Sequence, residues 1–356
     1  MSQDLFSLTA VVGFLLAIMV VARACMAEGV FDTWTAVINR STSSFGRRLT
    51  LTIVLIAVVT AALTLHAAVI LLTPILLVTA RTARRAVGLA AVRVANTAST
   101  LLPTSNLTNL LAFAGTGLAF VEFAWLMLPA WAVGVAAEIA ALRFWFRRDA
   151  RDEEPTQEVA AVPAVPLLPT AVVVAMLIGL SGGADLWLPV VAAAILLGGY
   201  ALMRRRTNWR DLAEAANLPL AGFVLVWALV VVWIGGTRAG DGVDHLVPSS
   251  GSLGALLVTA LVGMLAANVV NNLPAALLLV PAAAATGPVT VLALLIGLNV
   301  GANLTSIGSL ANLLWHEAGP ADVTAWRTFH AIGVVTTPLI VVLCTTVLWA
   351  WTSIVR

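Results

Sequence analysis

The chain has 356 residues, 61% of them hydrophobic and 10% charged, and its net charge of +2 rests on arginine alone, since there is no lysine. That composition excludes an attached soluble catalytic or nucleotide-binding domain: apolar runs extend from end to end and no charged tract is large enough to fold apart from them. About 20 apolar residues of helix cross a bilayer, so the chain reads as one polytopic helical bundle embedded in the lipid bilayer, and its slight basicity reports cytoplasmic loops, not nucleic acid.

In chain order, Leu5 to Ala24 is a first span; it lacks a basic n-region and a small-residue cleavage site, so it is not a signal peptide. Gly29 to Asn39 mixes Phe31, Trp34, Val37 and Ile38 with polar residues and suits a short interfacial helix. Leu49 to Ala80 lies between Arg40, Arg47 and Arg48 on one side and Arg81, Arg84 and Arg85 on the other. Both clusters reach the cytoplasm only if this segment is a re-entrant hairpin with its tip near His66. Ala86 to Phe120 is a crossing broken by the polar passage Asn96 to Asn109, where Pro103 and the Ser, Thr and Asn side chains compete with helical hydrogen bonding. Phe123 to Phe146 returns to Arg147, Arg148 and Arg151. The acidic and then proline-rich run 152–165 is a cytoplasmic linker that divides a first repeat, 1–151, from a second, 166–356.

Leu167 to Leu180 and Leu186 to Met203 pair around a Gly-Gly-Ala-Asp turn and end at Arg204, Arg205, Arg206 and Arg210. From Pro219 the earlier order recurs: a span to Ile234, an interfacial stretch Gly240 to Ser252, a hairpin at about 253–285, a broken helix at about 289–318 and a last span. Thr64 to Pro74 lines up with Asn271 to Pro281, and Ser105 to Leu110 echoes Gly308 to Leu313. Only Arg238 flanks the second hairpin, so it enters from the outside. The expected fold class is an all-α polytopic membrane protein with inverted repeats, re-entrant hairpins and broken helices. The pair at 167–203 has no counterpart before Leu5, so the first repeat lacks its first two helices, through truncation or natural reduction.

Backbone that leaves the helix inside a bilayer must be buried in protein or line a watery cavity. The candidate pathway residues are therefore Thr64, His66, Asn96, Thr97, Ser105, Asn106, Thr108 and Asn109 in one half, with Asn271, Asn272, Asn299, Asn303, Thr305, Ser306 and Ser309 in the other. They offer neutral donors and acceptors suited to an uncharged hydroxide or, with helix N-termini, an anion; helix-to-helix adhesion is the competing use. His66 is the candidate proton carrier. Of the remaining acids, Glu122 is expected at the outer interface and Glu138 beside an arginine it neutralises. Trp187, Trp209, Trp315, Trp326, Trp349 and Trp351 are expected as interfacial anchors. Cys25 and Cys344 have no metal-ligand spacing and are read as small apolar side chains, so neither a metal nor another cofactor is expected.

Three passages, Leu71 to Pro74, Ala95 to Leu110, and Asn271 to Pro274 together with Ile307 to Trp315, resemble the arsenite efflux permease family of the ion transporter superfamily, which shares its architecture with divalent anion/sodium symporters. The resemblance runs from about Leu5 to the C-terminus. It implies a secondary transporter, not an enzyme, in the bacterial cytoplasmic membrane, exporting arsenite and antimonite by alternating access in exchange for H+. It also implies, for some members, a soluble ATPase partner, and a homodimer is compatible with it. The family usually has Asp where this chain has His66, and often Asp where it has Asn299 and Pro-Lys where it has Ala302-Asn303. No carboxylate is then left in the four polar passages. Two other readings stay open: a Na+-coupled anion or dicarboxylate transporter, and a truncated homologue that does not transport.

Overall fold

The computed structural model of the chain describes residues 2–42, 44–79, 84–148, 163–182, 186–219 and 245–355, with residues 222, 226, 230 and 242, and side chains from Gly13 onward. Most of the 152–165 linker, most of the turn after Gly182, most of the 219–234 span, Arg81, Arg151 and Arg238 lie outside the described residues. The described elements are helical throughout. They are α1 (Ser2–Ala27), α2 (Val30–Ser41), α3 (Phe45–Ala62), α4 (Leu65–Val78), α5 (Arg84–Ala98), α6 (Leu107–Thr116), α7 (Phe120–Trp145), α8 (Leu167–Ser181) and α9 (Trp187–Met203). The second part of the chain adds α10 (Trp209–Ala215), α11 (Leu253–Val270), α12 (Asn272–Thr286), α13 (Pro288–Asn299), α14 (Leu310–Ala318) and α15 (Trp326–Val355).

Four of these, α3, α7, α11 and α15, are long and apolar enough to cross a membrane, and α1 with α2, bent by 54° at the Gly29 junction, makes a fifth if the pair is one span. Gly29 permits that bend through its positive φ of 78°. The two expected hairpins are each two helices with a break, at Leu63–Thr64 and at Asn271. Inside α4, Ala68–Leu72 forms a π turn just before Pro74, which has no N–H to return to Ile70.

Both expected broken helices are broken. α5 stops at Ala98, where Ser99 Oγ and Thr100 Oγ1 turn back onto the carbonyls of Asn96 and Thr97, at 2.8 and 2.9 Å. A 3-10 turn, Pro103–Ser105, follows before Asn106 caps α6 by accepting the Thr108 N–H. α13 likewise gives way to a 3-10 turn, Gly301–Asn303, and Ser309 caps α14 by accepting the Asn312 N–H.

Two apolar cores lie on either side of these breaks. The first gathers α1, α3, α4, α5 and α9, the second α11, α12 and α13 with part of α7 and α15. The half-helices beyond the breaks reach across between the cores. Ala311 and Trp315 of α14, with Phe329 of α15, belong to the first core, while α6 gives Leu107 and Leu110 to the first and Ala112 to the second. Trp315 is fully buried and donates Nε1–H to the Gly88 carbonyl at 2.6 Å, so it is a core residue and not the interfacial anchor expected from its place near a helix end. An indole N–H can be buried when a backbone carbonyl receives it, and α5 supplies one.

α11 and α13 pack tightly at Gly297, where an added methyl would lie 2.8 Å from the carbonyl carbon of Ala260. Gly297→Ala is expected to lower stability by about 1–3 kcal/mol through overpacking, read as a lower midpoint in detergent thermal unfolding. Gly199→Ala on α9, where nothing lies within 4 Å of the new methyl, should leave the midpoint unchanged or higher. Equal midpoints for the two variants would contradict this packing.

Candidate functional site

Four helix N-termini meet at one small cavity of about 10 Å3, room for about one water. It is lined by His66 at the start of α4, by Asn106, Leu107 and Thr108 at the start of α6, by Asn271, Asn272 and Leu273 at the start of α12, and by Leu310 at the start of α14. Each terminus is capped from its own chain: Thr64 Oγ1 accepts the Ala67 N–H, Asn106 Oδ1 that of Thr108, Asn271 Oδ1 that of Leu273, and Ser309 Oγ that of Asn312. The caps satisfy part of the exposed N–H set and leave a weakly positive, neutral-walled pocket. The His66 ring is 7% exposed and makes no hydrogen bond to another described residue.

The breaks are held by paired amides. Asn109 Nδ2 donates to the carbonyls of Ser99 and Leu102 at 2.7 and 2.9 Å. Asn312 Nδ2 donates to those of Ala302 and Thr305, both at 2.9 Å. The partner oxygens match too: Asn109 Oδ1 accepts from Asn299 Nδ2 at 2.7 Å, and Asn312 Oδ1 from Asn96 Nδ2 at 2.8 Å. Donors, acceptors and carbonyls thus pair at a constant spacing of 203 residues: 96 with 299, 99 with 302, 102 with 305, 109 with 312. Around this frame, Asn299 Oδ1 accepts from Asn106 Nδ2 and Thr108 Oγ1 at 2.9 and 2.7 Å, and Ser309 Oγ donates to Asn96 Oδ1 at 3.0 Å.

The hairpin breaks dock onto the helix breaks of their own half. Ser105 Oγ donates to the Ala61 carbonyl at the end of α3. The Asn272 N–H donates to the Gly308 carbonyl, and Asn271 Nδ2 to that of Ile307, both at 3.0 Å. Asn271 takes a φ of 78°, which L side chains rarely adopt, and its two side-chain bonds hold it there. Asn268 completes the second break, accepting from Thr305 N and Oγ1 and donating to the carbonyls of Met264 and Gly301.

Next to this network lies a buried ion pair. Arg93 on α5 meets Glu138 on α7 through two parallel bonds, Nε to Oε2 and an Nη to Oε1, both at 3.0 Å, and both side chains are fully buried. Arg93 also donates to Thr336 Oγ1 on α15 at 2.8 Å and to the Asn303 carbonyl at 3.3 Å. Thr97 Oγ1 and Asn303 Nδ2 donate to Glu138 Oε1, each at 3.3 Å. The pair bears out the expectation that Glu138 stands beside an arginine it neutralises, and it brings a carboxylate from the neighbouring α7 to Thr97 and Asn303, although the polar passages carry none of their own. Gly333 lets α15 approach closely enough to share the site, because a methyl there would strike the Asn303 carbonyl.

All the expected pathway residues lie in or beside this assembly, though in different roles. His66, Asn106, Thr108, Asn271 and Asn272 line the cavity. Thr64 caps α4, Ser105 and Thr305 tie hairpins to breaks, Asn96, Thr97, Asn109, Asn299, Asn303 and Ser309 form the network, and Ser306 donates its N–H to His330 Nε2 on α15. Glu122 is exposed at the start of α7. Arg93, Ser99, Asn268, Asn312 and His330 belong to the site but were not among the expected residues. The repeat alignment already contained Asn312, opposite Asn109; Arg93 carried the signal of an arginine inside an apolar helix.

A citrate transporter (CitMHS) family model matches residues 3–292. Arsenical pump membrane proteins of Escherichia coli and Yersinia enterocolitica are 29% identical over 354 residues, covering 90% of this chain and 82% of theirs. That of Escherichia coli strain K12 is 28% identical over 351 residues, with the same coverage. The crystal structure of the Alcanivorax borkumensis YdaH transporter matches with a TM-score of 0.60 at 15% identity, covering 98% of this chain and 87% of that one, a likeness of fold alone. The resemblance to arsenite efflux permeases is borne out, and the protein is a multi-pass transporter of the bacterial cytoplasmic membrane, not an enzyme. With the family model covering most of its length, the chain belongs to the CitMHS citrate transporter family.

Proposed function

We propose that the chain exports an uncharged inorganic hydroxide, arsenite or antimonite, in exchange for protons. Two hairpin-and-broken-helix units of opposite topology, 1–151 and 166–356, alternate access to the cavity where their helix starts meet. One observation carries the substrate class: among the described residues no arginine lines that cavity, and its one titratable group, His66, is the proton carrier of this reading. The nearby Arg93 is committed to Glu138 by a two-bond fork and so is not free to neutralise a ligand. A polycarboxylate entering such a pocket would keep its charges uncompensated, at a cost of several kcal/mol. A neutral trihydroxide needs only the donors and acceptors that Asn106, Thr108, Asn271 and Asn272 provide. At about 10 Å3 the pocket is too small for that solute as it stands, which fits an occluded state that must open. As that proton carrier, His66 lines the cavity and makes no hydrogen bond to another described residue.

The family description favours a second reading, a carrier of citrate or a related carboxylate, with Na+ or the four helix termini supplying positive charge. The exporter reading is compatible with a soluble ATPase partner and with a homodimer; both follow from the family resemblance alone.

Everted vesicles or proteoliposomes containing the full chain should accumulate arsenite when a proton gradient is imposed and should ignore a sodium gradient. Arsenite uptake independent of the gradient, or uptake of labelled citrate without arsenite, would sink the exporter reading. His66→Ala should abolish the gradient dependence; full retention would remove His66 as proton carrier. Glu138→Gln is expected to cost about 3–5 kcal/mol of stability by stranding Arg93 in the interior, whereas Arg93→Met with Glu138→Leu should recover much of that loss. Thermal unfolding in detergent checks both, and a double variant no better than the single one would show that the pair is not coupled.

A further inference from the structure

Among the anchors of the second break, one is an imidazole, whose ring can take a second proton. Ser306 donates its backbone N–H to Nε2 of His330 at 3.1 Å. A backbone N–H can only donate, so Nε2 must hold a lone pair and the ring proton must sit on Nδ1. The other anchors of segment 304–309 are the side-chain amides of Asn96, Asn268, Asn271 and Asn312 and the backbone N–H of Asn272, none of which titrates. His330 is half-buried near the start of α15 and stacks on Trp326, with ring centroids 6.0 Å apart and planes 14° from parallel. His316 of α14 packs against the same indole at 4.5 Å, but its Nδ1 is engaged with the Thr324 carbonyl. Among the described residues, the remaining charged groups on the helices packed against α15 are Glu138, bound to Arg93, Glu122 and Arg143 on the exposed side of α7, and the exposed Glu317 of α14; α11, α13 and the 3-10 turn carry none, and Arg327 of α15 is exposed.

We propose that His330 is a proton-binding positioning residue that makes the second break responsive to pH. Neutral, it clasps the Ser306 N–H and holds segment 304–309 against α15. When it takes a proton from water, Nε2 carries a hydrogen that points at the Ser306 N–H, the bond is lost and the segment is released from α15. This deepens the alternating-access reading, resting on its premise that the second break rearranges during transport, and it adds a proton site apart from the cavity that holds His66.

Hydrogen–deuterium exchange of peptides spanning 304–309, on the full chain in lipid nanodiscs without substrate, tests the latch. With intrinsic exchange rates corrected, protection in the wild type should fall ~10-fold between about pH 8 and about pH 5.5. His330→Gln keeps an oxygen that can accept the same N–H but does not titrate, so its protection should change less than ~2-fold over that range. His316→Gln should keep the wild-type response. The proposal is overturned if His330→Gln retains the full response, or if His316→Gln abolishes it. Should His330→Gln fail to fold, 15N-histidine NMR of the wild type decides: an Nδ1–H ring at about pH 8, becoming imidazolium as protection falls, supports the latch, and an Nε2–H ring overturns it. Because exchange is read without arsenite or a gradient, failed arsenite transport would count against the exporter reading and leave this result standing.

Discussion

Backbone that leaves the helical ladder inside a membrane protein must find its partners in protein, because lipid offers none and each orphaned group costs several kcal/mol. Here two asparagines carry most of that requirement. Asn109 and Asn312 each take two loose carbonyls with one amide nitrogen and offer the amide oxygen to an asparagine of the opposite broken helix. One side chain thus closes a break and joins the two breaks to each other. The cavity lies beside these locked breaks, where Asn106 and Asn271 cap the adjoining helix starts.

The ion pair of Arg93 and Glu138 sets the electrical character of the same region. Two buried charges are tolerable only if each is fully bonded, and here the fork is supplemented by Thr97, Asn303 and Thr336. The result is a unit of zero net charge spanning α5, α7, α15 and the second break. It leaves the nearby cavity a field made of amide and helix dipoles, weak and directional, in place of a fixed charge. Such a field favours a solute presenting several oxygens over one presenting a formal charge.

Much of the architecture was readable from the residues because breaks in membrane helices announce themselves. Proline, glycine and clusters of Asn, Ser and Thr in apolar runs have few other uses, and both polar passages and both hairpin breaks fall close to where those residues stand. The site was readable to the extent that it consists of such residues. Glu138 was readable only as the partner of an arginine, and His330 not at all, because each sits in an unbroken apolar helix and reaches the breaks only through packing of α7 and α15. Trp315 was misplaced for a related reason: its distance along the chain from a helix end says nothing of which core the half-helix enters. Local pattern locates a break, whereas the partner that fills it is chosen by contacts some 200 residues away.

The crossing of the half-helices between the two cores has a consequence for how the protein is made. The first core includes Ala311, Trp315, Phe329 and Ile332, which leave the ribosome long after α3, α4 and α5 have entered the bilayer. Until they arrive, the Gly88 carbonyl has no indole and Asn96 has no Asn312. The N-terminal half therefore waits in the membrane as an unfinished bundle, its polar break open to the insertion machinery or to water, and is completed by the last segments synthesised. Assembly of such a chain is a closing event and not a stepwise one, with the longest-range contacts formed at the end.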